Sequence, residues 1–190
     1  MATQRTKVIS LYIGRFQPFH KGHLHCLKYI SKRSRRLIIL VGSAQESHTF
    51  DNPLSLSERK ELIKRVLLRE GLQNIEIYAL NDFNDNDMWI KQVINTVPKF
   101  DFVYSNNRLV RSLFKKAGYV VKSIPFKSRK DYQGMIIRKK ARSLNPVWHS
   151  AVPTYLLSLL KKYGFAERVL NAAREDEVRK KTPDSLDGLK

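Results

Sequence analysis

Ten consecutive residues near the N-terminus, Gly14-Arg15-Phe16-Gln17-Pro18-Phe19-His20-Lys21-Gly22-His23, gather side chains suited to holding an anion. His20 and His23 are three positions apart, so they share a face if they open a helix. A helix N-terminus presents unpaired backbone N–H groups and partial positive charge, and there Arg15, Lys21 and two imidazoles would surround a phosphate. Gly22 leaves out a side chain between the histidines, so a flat base or a ribose can approach the backbone. A metal fits less well, because the pair lacks a third ligand and the i, i+4 spacing of a zinc helix. H-x-G-H alone is a weak signal. Its weight comes from position: an apolar run, then Gly-Arg, then the histidines.

Two further groups could do chemistry. Residues 42–48 follow a second apolar run, and Gly42 with the polar Ser43 and Gln45 could floor a nucleotide pocket, although an ordinary turn explains any one of them. Trp89 follows Asp82 and Asn86. An indole face can stack a flat aromatic ring, and an amide or carboxylate can hydrogen-bond its substituents. A lone Trp is more often a core residue.

The elements that must position these groups alternate. Apolar runs predict strands over residues 8–13, 36–41, 75–80, 102–104 and 119–123. Helical spacing predicts helices over 22–32, from Ser55 onward, and over 88–97, 109–116, 136–143, 152–163 and 166–180. Ser55 with Glu58 three residues on is a capping-box pattern. Alternation of this kind implies a parallel α/β sheet with right-handed crossovers and C-terminal helices. In such sheets the ligand lies beyond the carboxyl ends of the strands, where the strand order reverses.

Composition bounds the rest. At 190 residues a single domain with a substantial core is expected, and 42% apolar content excludes global disorder. Cys26 is the sole cysteine, so no internal disulfide forms and a reducing compartment fits. No apolar run approaches the roughly 20 residues that span a bilayer, and residues 1–7 lack a signal-peptide core. A soluble, cytoplasmic protein without membrane attachment is therefore expected. The net charge is +19. Residues 174–190 contribute nothing to it, residues 1–98 contribute +6, and residues 99–173 contribute +13. The segment 122–142 holds eight cations and one acid, Asp131, so the partners should be anionic.

The decapeptide and the segments that follow it resemble the archaeal-type nicotinamide mononucleotide adenylyltransferases of the H-x-G-H nucleotidyltransferase superfamily. Those segments are Gly42-Ser43-Ala44-Gln45-Glu46-Ser47-His48, Glu58-Arg59, Asp82 with Asn86 and Trp89, residues 100–105, and Tyr132-Gln133-Gly134-Met135-Ile136-Ile137-Arg138. The similarity runs from Lys7 to about Leu170. It implies a Rossmann-like, doubly wound sheet of about five strands, with a nucleotidyltransferase domain over 1–173 and a helix end and frayed tail over 174–190. It also implies a reaction: ATP and nicotinamide mononucleotide give NAD and pyrophosphate, with Mg²⁺ arriving on the triphosphate and no protein metal ligand. By the same resemblance Arg15, His20, His23 and Arg138 hold the phosphates, and Gly14, Phe16, Gly22, Ser105, Asn107, Gly134 and Ile137 complete the ATP site. Phe16, Gly42, Ser43, Gln45, Asp82, Asn86 and Trp89 would contact the pyridine nucleotide. A homo-oligomer, often a hexamer, is implied as well.

The sequence departs from that family twice. Ser and Thr flank the family's glycine before Ile-Arg, whereas Gln133 and Met135 stand here, so two phosphate-binding hydroxyls are lost. A Ser-Gly-Asn-Pro turn becomes Ser105-Asn106-Asn107-Arg108, in which Asn106 is expected to supply the left-handed geometry and Arg108 adds a cation. Two alternatives stay open. The acceptor could be another small phosphate, such as nicotinate mononucleotide or a flavin or pantetheine phosphate. Or a drifted fold could bind RNA or DNA, a secondary reading since no recognised RNA motif is present. A tRNA-synthetase reading is weaker still, because Met-Ile-Ile-Arg-Lys at 135–139 is not the loop those enzymes pair with H-x-G-H.

Overall fold

A computed structural model describes residues 7–125 and 132–181. Five strands, β1 (Ile9–Gly14), β2 (Arg36–Val41), β3 (Ile75–Ala79), β4 (Phe102–Tyr104) and β5 (Val120–Lys122), form one all-parallel sheet. Their order is β3-β2-β1-β4-β5. The chain therefore builds outward from β1 to β3, crosses back, and continues on the other side of β1. The direction reverses between β1 and β4, where Tyr12 lies opposite Tyr104, and a crevice opens beyond the carboxyl ends of these strands.

Seven helices accompany the sheet among the described residues: α1 (Lys21–Ser31), α2 (Leu56–Arg69), α3 (Asn86–Thr96), α4 (Arg108–Lys116), α5 (Gly134–Ala141), α6 (Leu157–Lys162) and α7 (Phe165–Lys181). Side chains of β2 alternate between two cores. Leu37, Ile39 and Val41 pack with Leu27 and Ile30 of α1, Leu62 of α2, Ile137 of α5 and Val169 of α7. Ile38 and Leu40 pack with Ile90 and Val93 of α3 and Phe114 of α4. Both faces are covered, which is why the strands read as continuous apolar runs. Among the described residues no helix is long and apolar enough to cross a membrane.

The boundaries follow local chemistry. The capping box at Ser55 and Glu58 is present, and Glu58 also takes two bonds from Arg168 of α7, at 2.8 and 3.0 Å. The third helix begins at Asn86 rather than 88, because Asp85 caps it by accepting the Met88 N–H. The fifth begins at Gly134 rather than 136. The helix expected over 152–163 is instead one 3₁₀ turn, Thr154–Leu156, running into the short α6, and a further 3₁₀ turn, Pro146–Ala151, precedes it. Pro153 accounts for this: the residue before a proline is pushed to extended geometry, and Val152 has φ −109° and ψ 154°. Gly164, at φ +60°, separates α6 from α7. Helix α7 matches the helix expected over 166–180, its last residues forming the helix end placed after 173. The tail over 183–188 lies outside the described residues, as does the middle of the basic loop, 126–131.

Candidate active site

The first strand delivers the chain into a tight turn. Gly14 ends β1 with its α-carbon against the Phe16 ring, where an added Cβ would stand 3.1 Å away. Phe16 takes a left-handed φ of +56°, and its ring is buried beneath His23, 4.6 Å between centroids. The chain then enters α1 with His20 as N-cap and His23 at the third helical position. The two imidazoles reproduce a capping box. The His23 N–H donates to His20 Nδ1 and the His20 N–H donates to His23 Nδ1, each at 3.3 Å. Their rings stack 3.6 Å apart, tilted by 20°.

This arrangement assigns tautomers. With each Nδ1 accepting a backbone N–H, the ring proton of each neutral histidine resides on Nε2. Both residues are held neutral. Burial pushes the His20 pKa down to about 3. Burial, and then the proximity of His20, pushes His23 well below its ordinary value. The first turn of α1 thus offers two Nε2–H donors beside its free backbone amides.

These residues line a cleft of about 360 Å³ at the switch point. Tyr12 and Ile13 of β1 form its floor, the histidines and Cys26 one wall, Ser105, Asn106 and Asn107 another, and Tyr132 to Gly134 a third. Gly22 faces Tyr132 so closely that a Cβ would lie 3.0 Å from the tyrosine Cβ and from two atoms of His20. The removed side chain therefore makes room for protein atoms in this conformation. Asn106 does not adopt the left-handed geometry expected of it. Its side chain instead clamps Ile124 through two bonds, Nδ2 to the carbonyl at 2.8 Å and Oδ1 from the amide at 3.1 Å. Asn107 caps α4, and Ser105 Oγ accepts the Asn107 N–H.

Arg138 reaches the turn from α5 while only 2% exposed. Its Nη1 donates to the Gln17 carbonyl at 2.9 Å and its Nη2 pairs with Asp51 at 2.5 Å. Burial lowers the Arg138 pKa against the opposing pull of Asp51, and the nearby charge of Arg15 lowers it further. Gly134 permits this approach, since a Cβ there would meet the Gln17 oxygen at 3.0 Å and Arg138 Nη1 at 3.1 Å. Gln17 in turn grips Leu54 through both ends of its amide, at 2.8 and 3.0 Å.

The structure brings Gly14, Arg15, His20, Gly22, His23, Gly134 and Arg138 together around one end of the sheet, with Ser105 and Asn107 across the cleft. Two expected ligands are core residues. Phe16 is 1% exposed and Ile137 is fully buried. The Ile137 N–H is spent on the Gln133 carbonyl, so Phe16 retains only its backbone for a substrate and Ile137 acts through packing. On the other side of β1, Gly42 faces open space, and Gln45 Oε1 accepts the Asp82 N–H at 3.0 Å. Asp82 and Asn86 are exposed. Trp89 is half-buried, edge-on to Phe114 at 6.0 Å, so its ring is partly committed to the core. Gln133 stands at the N-cap of α5 without making the side-chain capping bond, and Met135 is half-exposed in its first turn. Among the described residues no group of three or more His, Cys, Asp or Glu could hold a metal ion.

Sequence reasoning assigns no role to Gln17, Asp51 or Arg59. The last was legible as a lone arginine on the face of α2 that carries Leu62, Ile63 and Val66.

An array of donors at a helix N-terminus, set at the reversal point of a parallel sheet, is the architecture of a nucleotide-handling α/β protein. Residues 11–140 match the cytidylyltransferase-like family. The nicotinamide-nucleotide adenylyltransferase of Thermoplasma acidophilum is 41% identical over 165 residues, covering 87% of this chain and 92% of the relative. That of Saccharolobus solfataricus is 44% identical over 145 residues, covering 75% and 84%. The bifunctional NMN adenylyltransferase/ADP ribose pyrophosphatase of Francisella tularensis shares the fold, with a TM-score of 0.70 at 21% identity. The match covers 94% of this chain and 58% of that longer one. A second structure of the Francisella protein, complexed with AMP and a manganese ion, gives a TM-score of 0.68 at 22% identity, covering 94% of this chain and 57% of that one. This chain belongs to the cytidylyltransferase-like family and, within it, to the nicotinamide-nucleotide adenylyltransferases.

Proposed function

We propose that the protein transfers the adenylyl group of ATP to nicotinamide mononucleotide, forming NAD and pyrophosphate. The acceptor's 5′-phosphate oxygen attacks the α-phosphorus, a new phosphoanhydride bond forms, and the bond to the β-phosphate breaks. The attacking group is already an anion, so no general base is required. What remains for the protein is alignment and neutralisation of charge on the transferring group.

The observation that carries this reading is the stacked His20–His23 pair, whose mutual Nδ1 caps leave two Nε2–H donors at the N-terminus of α1. Neutral donors suit a site that must release pyrophosphate. The fixed positive charge comes from Arg15 and Arg138, and the backbone amides opening α5 replace the hydroxyls absent at Gln133 and Met135. The cleft beside Ser105 and Asn107 takes the adenosine. Gly42, Ser43, Gln45, Asp82, Asn86 and the free edge of Trp89 take the pyridine nucleotide across β1. A divalent cation, Mg²⁺ in this reading, accompanies the triphosphate and spreads its charge. The manganese ion in the Francisella structure supports a divalent requirement. A cytoplasmic homo-oligomer is part of the same proposal.

The test is an acceptor panel. Purified protein with ATP and Mg²⁺ is given nicotinamide mononucleotide, nicotinate mononucleotide, flavin mononucleotide or phosphopantetheine, and pyrophosphate release is followed. Turnover is expected with nicotinamide mononucleotide. Absence of turnover with both pyridine mononucleotides refutes the proposal.

A further inference from the structure

We infer that Arg59 is the positioning residue of this site: its guanidinium sets the peptide groups that close β1 and β2 so that their N–H groups face the substrate. The inference rests on the function proposed above but concerns a residue outside the cleft. Arg59 is fully buried in the first turns of α2, and among the described residues no carboxylate pairs with it. All its bonds go to main-chain carbonyls. Nη1 donates to Arg15 at 3.2 Å and Gly42 at 2.8 Å. Nη2 donates to Ser43 at 3.0 Å and Glu46 at 3.4 Å, and Nε to Ser55 at 3.3 Å. One planar fork therefore ties together the turn after β1, the loop after β2 and the cap of α2.

Burying a guanidinium without a counter-ion is costly, and the cost is visible. Burial lowers the Arg59 pKa to about 10, opposed by Asp82 and reinforced by Arg15. The group stays protonated at neutral pH. A residue needed only to fill space could be apolar, as its neighbours Leu62 and Ile63 are.

What Arg59 supplies is direction. Two of the loops it holds pass through left-handed geometry at residues bearing a Cβ, Phe16 at φ +56° and Ser43 at φ +49°. Such conformations persist only where surrounding contacts impose them. A peptide is planar and trans, so its C=O and N–H point opposite ways. Turning the carbonyls of Arg15 and Gly42 inward onto the guanidinium turns the N–H groups of Phe16 and Ser43 away from it. These two amides lie two residues beyond the ends of the neighbouring parallel strands β1 and β2. They are placed to donate to one anionic oxygen, the acceptor phosphate in the reading above.

Arg59→Lys and Arg59→Met test this. Lysine retains charge but cannot span three loops, so kcat/KM is expected to fall about tenfold in Arg59→Lys and about a hundredfold in Arg59→Met. Both are assayed below their melting temperatures, with circular dichroism reporting the folded fraction. A purely architectural residue would lower the melting temperature and leave kcat and KM of the folded protein unchanged. Hydrogen–deuterium exchange of the amides at 16 and 43–46 is measured in the same proteins without substrate, and about tenfold faster exchange is expected in Arg59→Lys. That readout survives if the wild type fails the acceptor panel, so the two ideas fall separately. Unchanged kinetics in the folded variants, or unchanged exchange at those amides, overturns the inference. So does a failure of Arg59→Lys to fold, which would make the role architectural.

Discussion

Replacing Arg138 by alanine separates its two functions. In the free protein the side chain ties α5 to the β1–α1 turn through the Gln17 carbonyl at 2.9 Å, and pairs with Asp51. Removal leaves a buried acceptor unpaired, which costs about 1–3 kcal/mol. Loss of the Asp51 pair adds at most about 1 kcal/mol, because the Asp51 side chain is 63% exposed. The catalytic loss should be larger. A charged donor aimed at the transferring phosphoryl group is worth about 3–4 kcal/mol, so kcat should drop by roughly 10²–10³. Pyrophosphate release at varied ATP gives kcat and KM, and denaturant melts give stability. Asp51→Asn is the companion variant, because Asp51 occupies the same Nη2 that a phosphate oxygen would take. Relieving that competition should lower the ATP KM about two- to fivefold, or roughly 0.5–1 kcal/mol, with kcat unchanged. Arg138→Ala that loses stability yet keeps kcat within about threefold would refute the phosphate-holding role and leave only the tie to Gln17.

Two further outcomes follow from the same geometry. Gly134→Ala should force α5 away from Gln17 and Arg138, costing about 1–3 kcal/mol in denaturant melts and raising the ATP KM. Gly118→Ala, at φ +84° far from the cleft, should lose stability alone; equal kinetic effects from both substitutions would contradict the assignment. The pH dependence of stability has a definite sign. His20 is neutral in the fold, with its pKa lowered to about 3, whereas the unfolded chain protonates it near 6.5. Its contribution is therefore complete above about pH 6.5 and declines by about 1.4 kcal/mol per pH unit below it, which amounts to about 2 kcal/mol between pH 7 and 5. His23, whose pKa burial also lowers, adds in the same direction. The paired carboxylates Glu70 and Glu76 are held below their ordinary range and titrate beneath this window. A wild-type stability that is flat from pH 7 to 5, matching His20→Gln, would show that the histidine is not buried neutral.

Sequence carried the strand alternation, the Ser55 capping box and the H-x-G-H turn, because each depends on spacing within a few residues. It missed the contacts that hold the turn in place, which depend on where distant main-chain carbonyls come to lie. Arg59 reaches oxygens 44, 17, 16 and 13 positions away, and no local period encodes that. Gln17 and Asp51 are silent for the same reason. Phe16 and Ile137 show a different gap. They sit inside recognisable motifs, yet their side chains are needed to pack the motif from beneath, and motif membership does not say which atoms of a residue face the ligand. Asn106 was expected to solve a turn problem, whereas the chain uses it to pin the strand end after β5.

The positive charge divides along the same line. Lys28, Arg69, Lys115, Lys116, Lys139, Lys140, Lys161 and Lys162 all lie in the last turns of helices, where they offset the negative end of the macrodipole. They account for a good part of the +19 without any ligand. Arg15, Arg59 and Arg138 are different, because the charge of Arg15 lies close enough to lower the pKa of both the others. Asp51 reaches one of the three and Asp82 acts on another, and neither carboxylate is buried. On the function proposed above, Arg15 and Arg138, rather than the net charge of the chain, favour a polyphosphate over the diffuse attraction that a basic surface offers any anion.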